Sequence, residues 1–201
     1  MIDSLVLATT NKGKLRDFRL LFEGTGIAIE VPGDHGVALD VEETGVTFTE
    51  NALLKARAFA AALPGRAVLA DDSGLVVEAL GGDPGVLSAR YAGEPSDDRA
   101  NNRLVLARMN GIAERDAAFV VVLALVLPGG EEIVVEGRCE GSIAFSERGS
   151  NGFGYDAIFF REDLGCTFGE ATPAQKNERS HRAAAVKALL ASKWGQTPFP
   201  A

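Results

Sequence analysis

Nine consecutive apolar residues, Phe119-Val-Val-Val-Leu-Ala-Leu-Val-Leu127, run into Pro128-Gly129-Gly130, and a second segment, Glu132 to Ile143, follows at once. The run is about half the ~20 residues a membrane helix needs. Bounded by a Pro-Gly-Gly turn and rich in β-branched residues, it reads as a strand. Two strands, roughly 118–127 and 132–143, then make one long hairpin. Earlier in the chain strands and helices alternate. Ser4–Ala8 reads as a strand, and Leu15, Phe18, Leu21 and Phe22 fall on one helical face. Ile27–Val31 is a second strand, and residues 34–46 form a polar, acidic loop. Thr47-Phe-Thr-Glu50 is a capping box that opens a helix with Leu53, Ala56, Ala60 and Leu63 inward, ended by Pro64-Gly65. Ala67–Ala70 is a strand, Leu75–Leu80 continues it, and Asp97–Met109 is a helix with Leu104 and Ala107 inward. A strand at Ala157–Phe160 and a helix from about Ser180 to Leu190 complete the pattern. Alternation interrupted by a hairpin predicts an α/β fold with a mixed sheet, the hairpin building a second lobe beside a cleft. The 201 residues suit a single domain, residues 1–201.

A net charge of −8 disfavours a general nucleic-acid binder, whereas a small phosphate ligand needs only a local cluster of lysines. Cys139 and Cys166 lie far apart, and with only His35 and His181 beside them a zinc site is not expected. Two idle thiols fit a reducing compartment. No charged leader precedes an apolar core, so a cytoplasmic protein is expected.

Four polar clusters interrupt this frame. Thr9-Thr10-Asn11-Lys12-Gly13-Lys14 joins the first strand to the first helix. Unpaired amides at a helix start attract anions, so the stretch is either a solvated turn or a phosphate-binding loop. It is not a nucleotide P-loop, which needs a glycine at position 8 and Ser or Thr at 15, where this chain has Ala8 and Leu15. Asp71-Asp72-Ser73-Gly74 places two aspartates side by side. Their mutual repulsion favours a divalent cation such as Mg²⁺, which takes one or two carboxylates with phosphate oxygens and water. In extended backbone the two side chains point to opposite faces, so one faces the site and the other serves the fold. Asn151-Gly-Phe-Gly-Tyr-Asp156 is either an aromatic wall for a flat ring or a loop that plants Phe153 and Tyr155 in the core. Lys176-Asn-Glu-Arg-Ser180-His181-Arg182 puts cations at a helix N-terminus, against the dipole, which an anionic or carbonyl-bearing ligand offsets. Lys55 and Arg57 read as decoration on a solvated helix face, His35 as an exposed loop residue, and Trp194 as cover for a core edge or a subunit contact.

Together these segments resemble the inosine triphosphate pyrophosphatase family, the Ham1-like enzymes that hydrolyse non-canonical purine nucleoside triphosphates. The resemblance runs from Leu7–Lys14 through Glu42-Glu-Thr-Gly45, Phe48–Ala52, Ala70–Gly74, Leu80–Gly85, Ser88–Tyr91, Phe153–Asp156 and Ser180–Arg182. It implies two lobes about a long mixed sheet with a central substrate cleft, Mg²⁺ dependence, a homodimer, and cleavage of dITP/ITP or XTP/dXTP to monophosphate and pyrophosphate. By position, Thr9, Thr10, Asn11, Lys12, Gly13 and Lys14 resemble the triphosphate loop. Asp72 resembles the catalytic base and, with Glu42, the metal ligands. Ser73, Phe153, Gly154, Tyr155, Asp156, Lys176, His181 and Arg182 resemble the remaining substrate contacts. Thr10 stands where the family usually has glycine or another small residue, and Cys166 where a basic residue is common. Two other readings fit less well: a related Maf-type nucleotide pyrophosphatase, whose loop is rich in serine and arginine, and a non-catalytic nucleotide sensor.

Overall fold

In the computed structural model, which describes residues 2–192 and 194, the hairpin is the spine of the sheet. The strands are β1 (Ser4–Leu7), β2 (Ala28–Glu30), β3 (Val68–Val77), β4 (Asp116–Val126), β5 (Glu132–Ile143), β6 (Phe159–Arg161) and β7 (Cys166–Thr167). The helices are α1 (Lys12–Leu21), α2 (Phe48–Ala62), α3 (Asp98–Arg108), α4 (Pro173–Arg179) and α5 (His181–Ala191). The sheet order is β2-β1-β3-β4-β5-β6-β7. β1 pairs in parallel with β2 and β3, whereas β6 is antiparallel to β5 and β7, so the sheet is mixed as expected. β4 and β5 are neighbours joined by a tight turn in which the Leu127 N–H donates to the Glu131 carbonyl at 2.9 Å. No helix among the described residues is long and apolar enough to cross a membrane.

The chain divides into two compact units. The first holds the described residues of Met1–Asp72, Val121–Gly137 and Arg182–Ala201, and the second Ser73–Val120 and Arg138–His181. In the first unit the strand alternation sorts side chains to two cores. Leu5, Leu7, Leu69, Leu123 and Leu125 pack with Phe18 of α1, Leu189 of α5 and Trp194. Val6, Ala8, Val68, Ala70, Val122 and Ala124 pack with Ala52, Ala56 and Phe59 of α2. The run is therefore apolar at every position from 121 to 127 because both faces are covered by helices there. Each such large side chain contributes about 1.5–3 kcal/mol on burial. The second unit has its own core around Leu75, Val105, Met109, Phe119, Phe159 and Phe168.

Some local readings hold and others need correction. The segments read as Ala67–Ala70 and Leu75–Leu80 join in one strand, β3, which carries Asp71–Gly74 within it and ends at Val77, with Glu78–Leu80 a 3-10 turn. The capping box at Thr47 is present, with Glu50 N–H donating to Thr47 Oγ1 and Thr47 N–H to Glu50 Oε2, both at 3.1 Å. Thr172-Pro-Ala-Gln175 carries the same signature and starts α4, where the sequence reading had only a basic turn. The inward face of α3 is Asn101, Asn102, Val105 and Met109, while Leu104 is half-buried and Ala107 exposed. His35 is half-buried, with Nε2 2.6 Å from Glu30. Trp194 is buried and its indole N–H donates to the Leu189 carbonyl at 2.6 Å.

Candidate active site

The candidate residues form two groups, one in each unit. In the first unit, Asn11 caps α1, its Oδ1 accepting from Gly13 N–H at 2.8 Å and Lys14 N–H at 3.1 Å. Those two amides are thus already used, and positive charge at this helix start comes from side chains. Lys14 reaches β3, its Nζ 2.9 Å from Asp71 Oδ2. Arg182, at the start of α5, approaches the same oxygen to 3.9 Å and lies 3.6 Å from Asp17. These carboxylates offset the unfavourable dipole at Arg182.

The two adjacent aspartates face opposite sides of β3 and differ in character. Asp71 is fully buried, which by itself opposes ionisation, yet Lys14, Arg182 and Lys55 together hold its carboxyl below the ordinary value. Asp72 goes the other way. Burial, reinforced by the neighbouring Glu43 charge, pushes it up in spite of Lys55 and an Asn51 hydrogen bond. Lys14 is lowered, because burial and the cations Lys55 and Arg182 outweigh Asp71.

Lys55 is not a surface decoration. Its Nζ lies 2.5 Å from Glu43 and 3.5 Å from Asp72, with the side chain 12% exposed. Asn51, one turn earlier on α2, donates to Asp72 Oδ2 at 3.3 Å and accepts the Gly45 N–H at 2.8 Å. This ties the acidic loop 42–46 to β3, and a Cβ on Gly45 would come within 2.6 Å of Asn51 Oδ1. The signal in the sequence was the i, i+4 pair of polar residues at the edge of the apolar stripe of α2. Arg57, by contrast, is exposed and pairs with Glu132 at 2.7 Å, as a solvated face would. Of the two neighbouring glutamates, Glu43 is used by Lys55, whereas Glu42 is exposed with no ion pair among the described residues. Among those residues no group of three or more His, Cys, Asp or Glu forms a metal cage. Both cysteines are free thiols, and burial raises that of Cys139 to about 11.

The second unit carries the aromatic loop. Asp156 Oδ2 accepts the Phe153 N–H at 2.9 Å and the Lys176 ammonium at 2.5 Å. Lys176 also lies 4.8 Å from the centroid of the Phe153 ring. Gly152 is required, since its φ is +78° and a Cβ there would strike Asp156 Oδ2. Tyr155 is in the core, its hydroxyl donating to the Ser88 carbonyl at 2.8 Å, so of the two aromatics only Phe153 keeps a half-buried ring. His181 is buried and stacks on Phe119, centroids 4.9 Å apart. Ser73 is half-buried on β3, and Thr9 and Thr10 are half-buried and exposed beside α1.

Comparison with known proteins agrees on one group. Residues 5–192 match the model of the Ham1 family. The dITP/XTP pyrophosphatase of Shouchella clausii is 48% identical over 199 residues, covering 98% of this chain and all of that protein. The dITP/XTP pyrophosphatase of Bacillus subtilis is 47% identical over 186 residues, with 92% and 93% covered. The Ham1 protein of Staphylococcus aureus superposes with a TM-score of 0.86 at 42% identity, covering 96% of this chain and all of that one. With this likeness over nearly its whole length, the chain belongs to the Ham1 family.

Proposed function

We propose that this protein hydrolyses non-canonical purine nucleoside triphosphates, dITP/ITP and XTP/dXTP, to the monophosphate and pyrophosphate. The names of the relatives support the reaction and the substrate class. The observation that carries the reading is the gathering of Lys14, Lys55 and Arg182 around Asp71 and Asp72, with Lys14 lowered by burial and like charge. A triphosphate bound with a divalent cation suits such a mixed set, its oxygens taking the cations and the ion the carboxylates.

In this reading Asp72 orients the attacking water and accepts its proton as it adds to the α-phosphorus. Asn51 and Lys55 fix the carboxylate for that task. Lys14 neutralises charge moving onto the departing pyrophosphate. Phe153 supplies the face for the base, with Lys176, His181 and Arg182 as donors that suit the 6-carbonyl of inosine and xanthosine and oppose the amine of adenosine. Guanine shares that carbonyl, so its exclusion must be read at position 2 of the ring. Asp72 and Glu42 are the residues that would hold Mg²⁺. A cation would offset the burial and the Glu43 charge that oppose ionisation of Asp72, and Glu42 is an exposed carboxylate on the loop that Asn51 ties to β3. Mg²⁺ held there would supply polarisation of the phosphate oxygens and would favour the ionised Asp72. Cytoplasmic action as a homodimer is proposed from the resemblance, and light scattering on the purified chain would read twice its mass.

The test is a panel of nucleoside triphosphates with Mg²⁺ and identification of products. dITP and XTP are expected to give pyrophosphate and the monophosphate, with ATP a poor substrate. Inorganic phosphate with a diphosphate, or equal turnover of ATP and dITP, contradicts the reading. Nucleotide binding without hydrolysis identifies a sensor instead. Lys55→Met is expected to lower kcat/KM for dITP by about 10–100-fold, the loss of the charge-assisted contact that fixes Asp72.

A further inference from the structure

The inward face of α3 begins with polar residues instead of apolar ones, and each of them is spent on a loop. Asp98 Oδ2 accepts the Gly154 N–H at 2.7 Å, and Asn102 Nδ2 donates to the Gly154 carbonyl at 3.2 Å. Residues 98 and 102 are four apart on one helical face, so a single rigid element holds both sides of one residue. Gly154 has a φ of +61°, in the left-handed region, and both its backbone groups point to α3. Beside it, Asn101 donates to the carbonyls of Ser88 at 3.4 Å and Ala89 at 3.1 Å, and Tyr155 donates to the same Ser88 carbonyl. The residue before Gly154 is Phe153, whose own N–H is held by Asp156. Asn102 is 3% exposed and its Oδ1 has no hydrogen-bond partner among the described residues. Its Nδ2 donor, by contrast, is spent on the Gly154 carbonyl, which an apolar residue at 102 would leave unpaired. What the asparagine secures is the loop.

We propose that Asp98 and Asn102 are positioning residues that fix the ring of Phe153 and through it set affinity for the base. This rests on the reading of Phe153 as the base-stacking face. Loss of the clamp leaves the phosphate contacts untouched, so its signature is in KM and not in kcat.

The experiment compares Asp98→Ala, Asp98→Asn and Asn102→Ala in dITP hydrolysis, inhibition by inorganic tripolyphosphate, and amide hydrogen exchange over residues 151–156. Asp98→Ala and Asn102→Ala are expected to raise KM for dITP about tenfold with kcat within about threefold, as for one lost charge-assisted or buried hydrogen bond. Asp98→Asn, whose amide oxygen still accepts from Gly154, is expected to stay near the parent. The inhibition constant of tripolyphosphate, which has no base, is expected to be unchanged, and exchange at 151–156 to speed up in Asp98→Ala. A parental KM in Asp98→Ala overturns the proposal, as does a tenfold weaker tripolyphosphate. Should Asn102→Ala fail to fold, the exposed Asp98 and its two variants decide the matter. Unchanged exchange in Asp98→Ala overturns the clamp whatever the protein turns over. Faster exchange in Asp98→Ala, with a parent protein inactive on dITP, would instead fault the functional reading.

Discussion

Asp72→Asn is expected to lower kcat for dITP by about 10²–10⁴-fold, the contribution of a general base, with no loss of stability. The second half of this expectation follows from the direction of the Asp72 shift. A carboxyl raised above its ordinary value of 3.8 binds its proton more tightly folded than unfolded. Its ionisation therefore costs stability as pH rises through the folded value, and a neutral isostere avoids that cost. The variant should melt no lower than the parent at pH 7. Near-normal turnover with Mg²⁺ would remove Asp72 from its assigned role.

The neighbouring substitution should do the reverse. Asp71→Asn is expected to destabilise the protein by about 3 kcal/mol or more, because breaking a buried pair leaves charge uncompensated. For a chain of this size that is about 6–12 °C in Tm. Lys14 pairs with Asp71 at 2.9 Å, so the loss of Asp71 leaves that cation uncompensated, while Arg182 keeps Asp17. The sign with pH is opposite to that of Asp72. A carboxyl held below 3.8 contributes stability that is present above that value and lost as pH falls through the lower folded one. The difference in Tm between parent and variant should be full at pH 6–7 and shrink in strong acid (measured by calorimetry across pH). A variant as stable as the parent at neutral pH would show that Lys14 does not depend on Asp71.

How much of this was legible varies by element. The β4–β5 hairpin was read correctly because nine apolar residues, a Pro-Gly-Gly turn and the length limit left little choice. That Asp71 and Asp72 face opposite sides of β3 was anticipated from strand alternation, although which neighbours each meets needed the fold. Lys55 was misread because a lysine at the rim of a helix looks the same whether its ammonium reaches water or a buried carboxylate. The face of α3 was misread for a related reason. Periodicity searches for apolar residues, and here the buried positions include Asn101 and Asn102, which hold backbone of other segments. Tyr155 shows the converse, an aromatic beside a candidate site whose hydroxyl serves the core. The loop that carries Phe153 was visible as Gly-Phe-Gly, but not that Asp156 and Lys176 brace it, since that bond joins residues 20 apart.

The account centres on water attacking the α-phosphorus of a purine triphosphate. Hydrolysis of dITP with Mg²⁺ in ¹⁸O-enriched water, followed by mass spectrometry, tests this most directly. One ¹⁸O in dIMP and unlabelled pyrophosphate is the predicted result. Label in pyrophosphate, or release of labelled inorganic phosphate with dIDP, would contradict it.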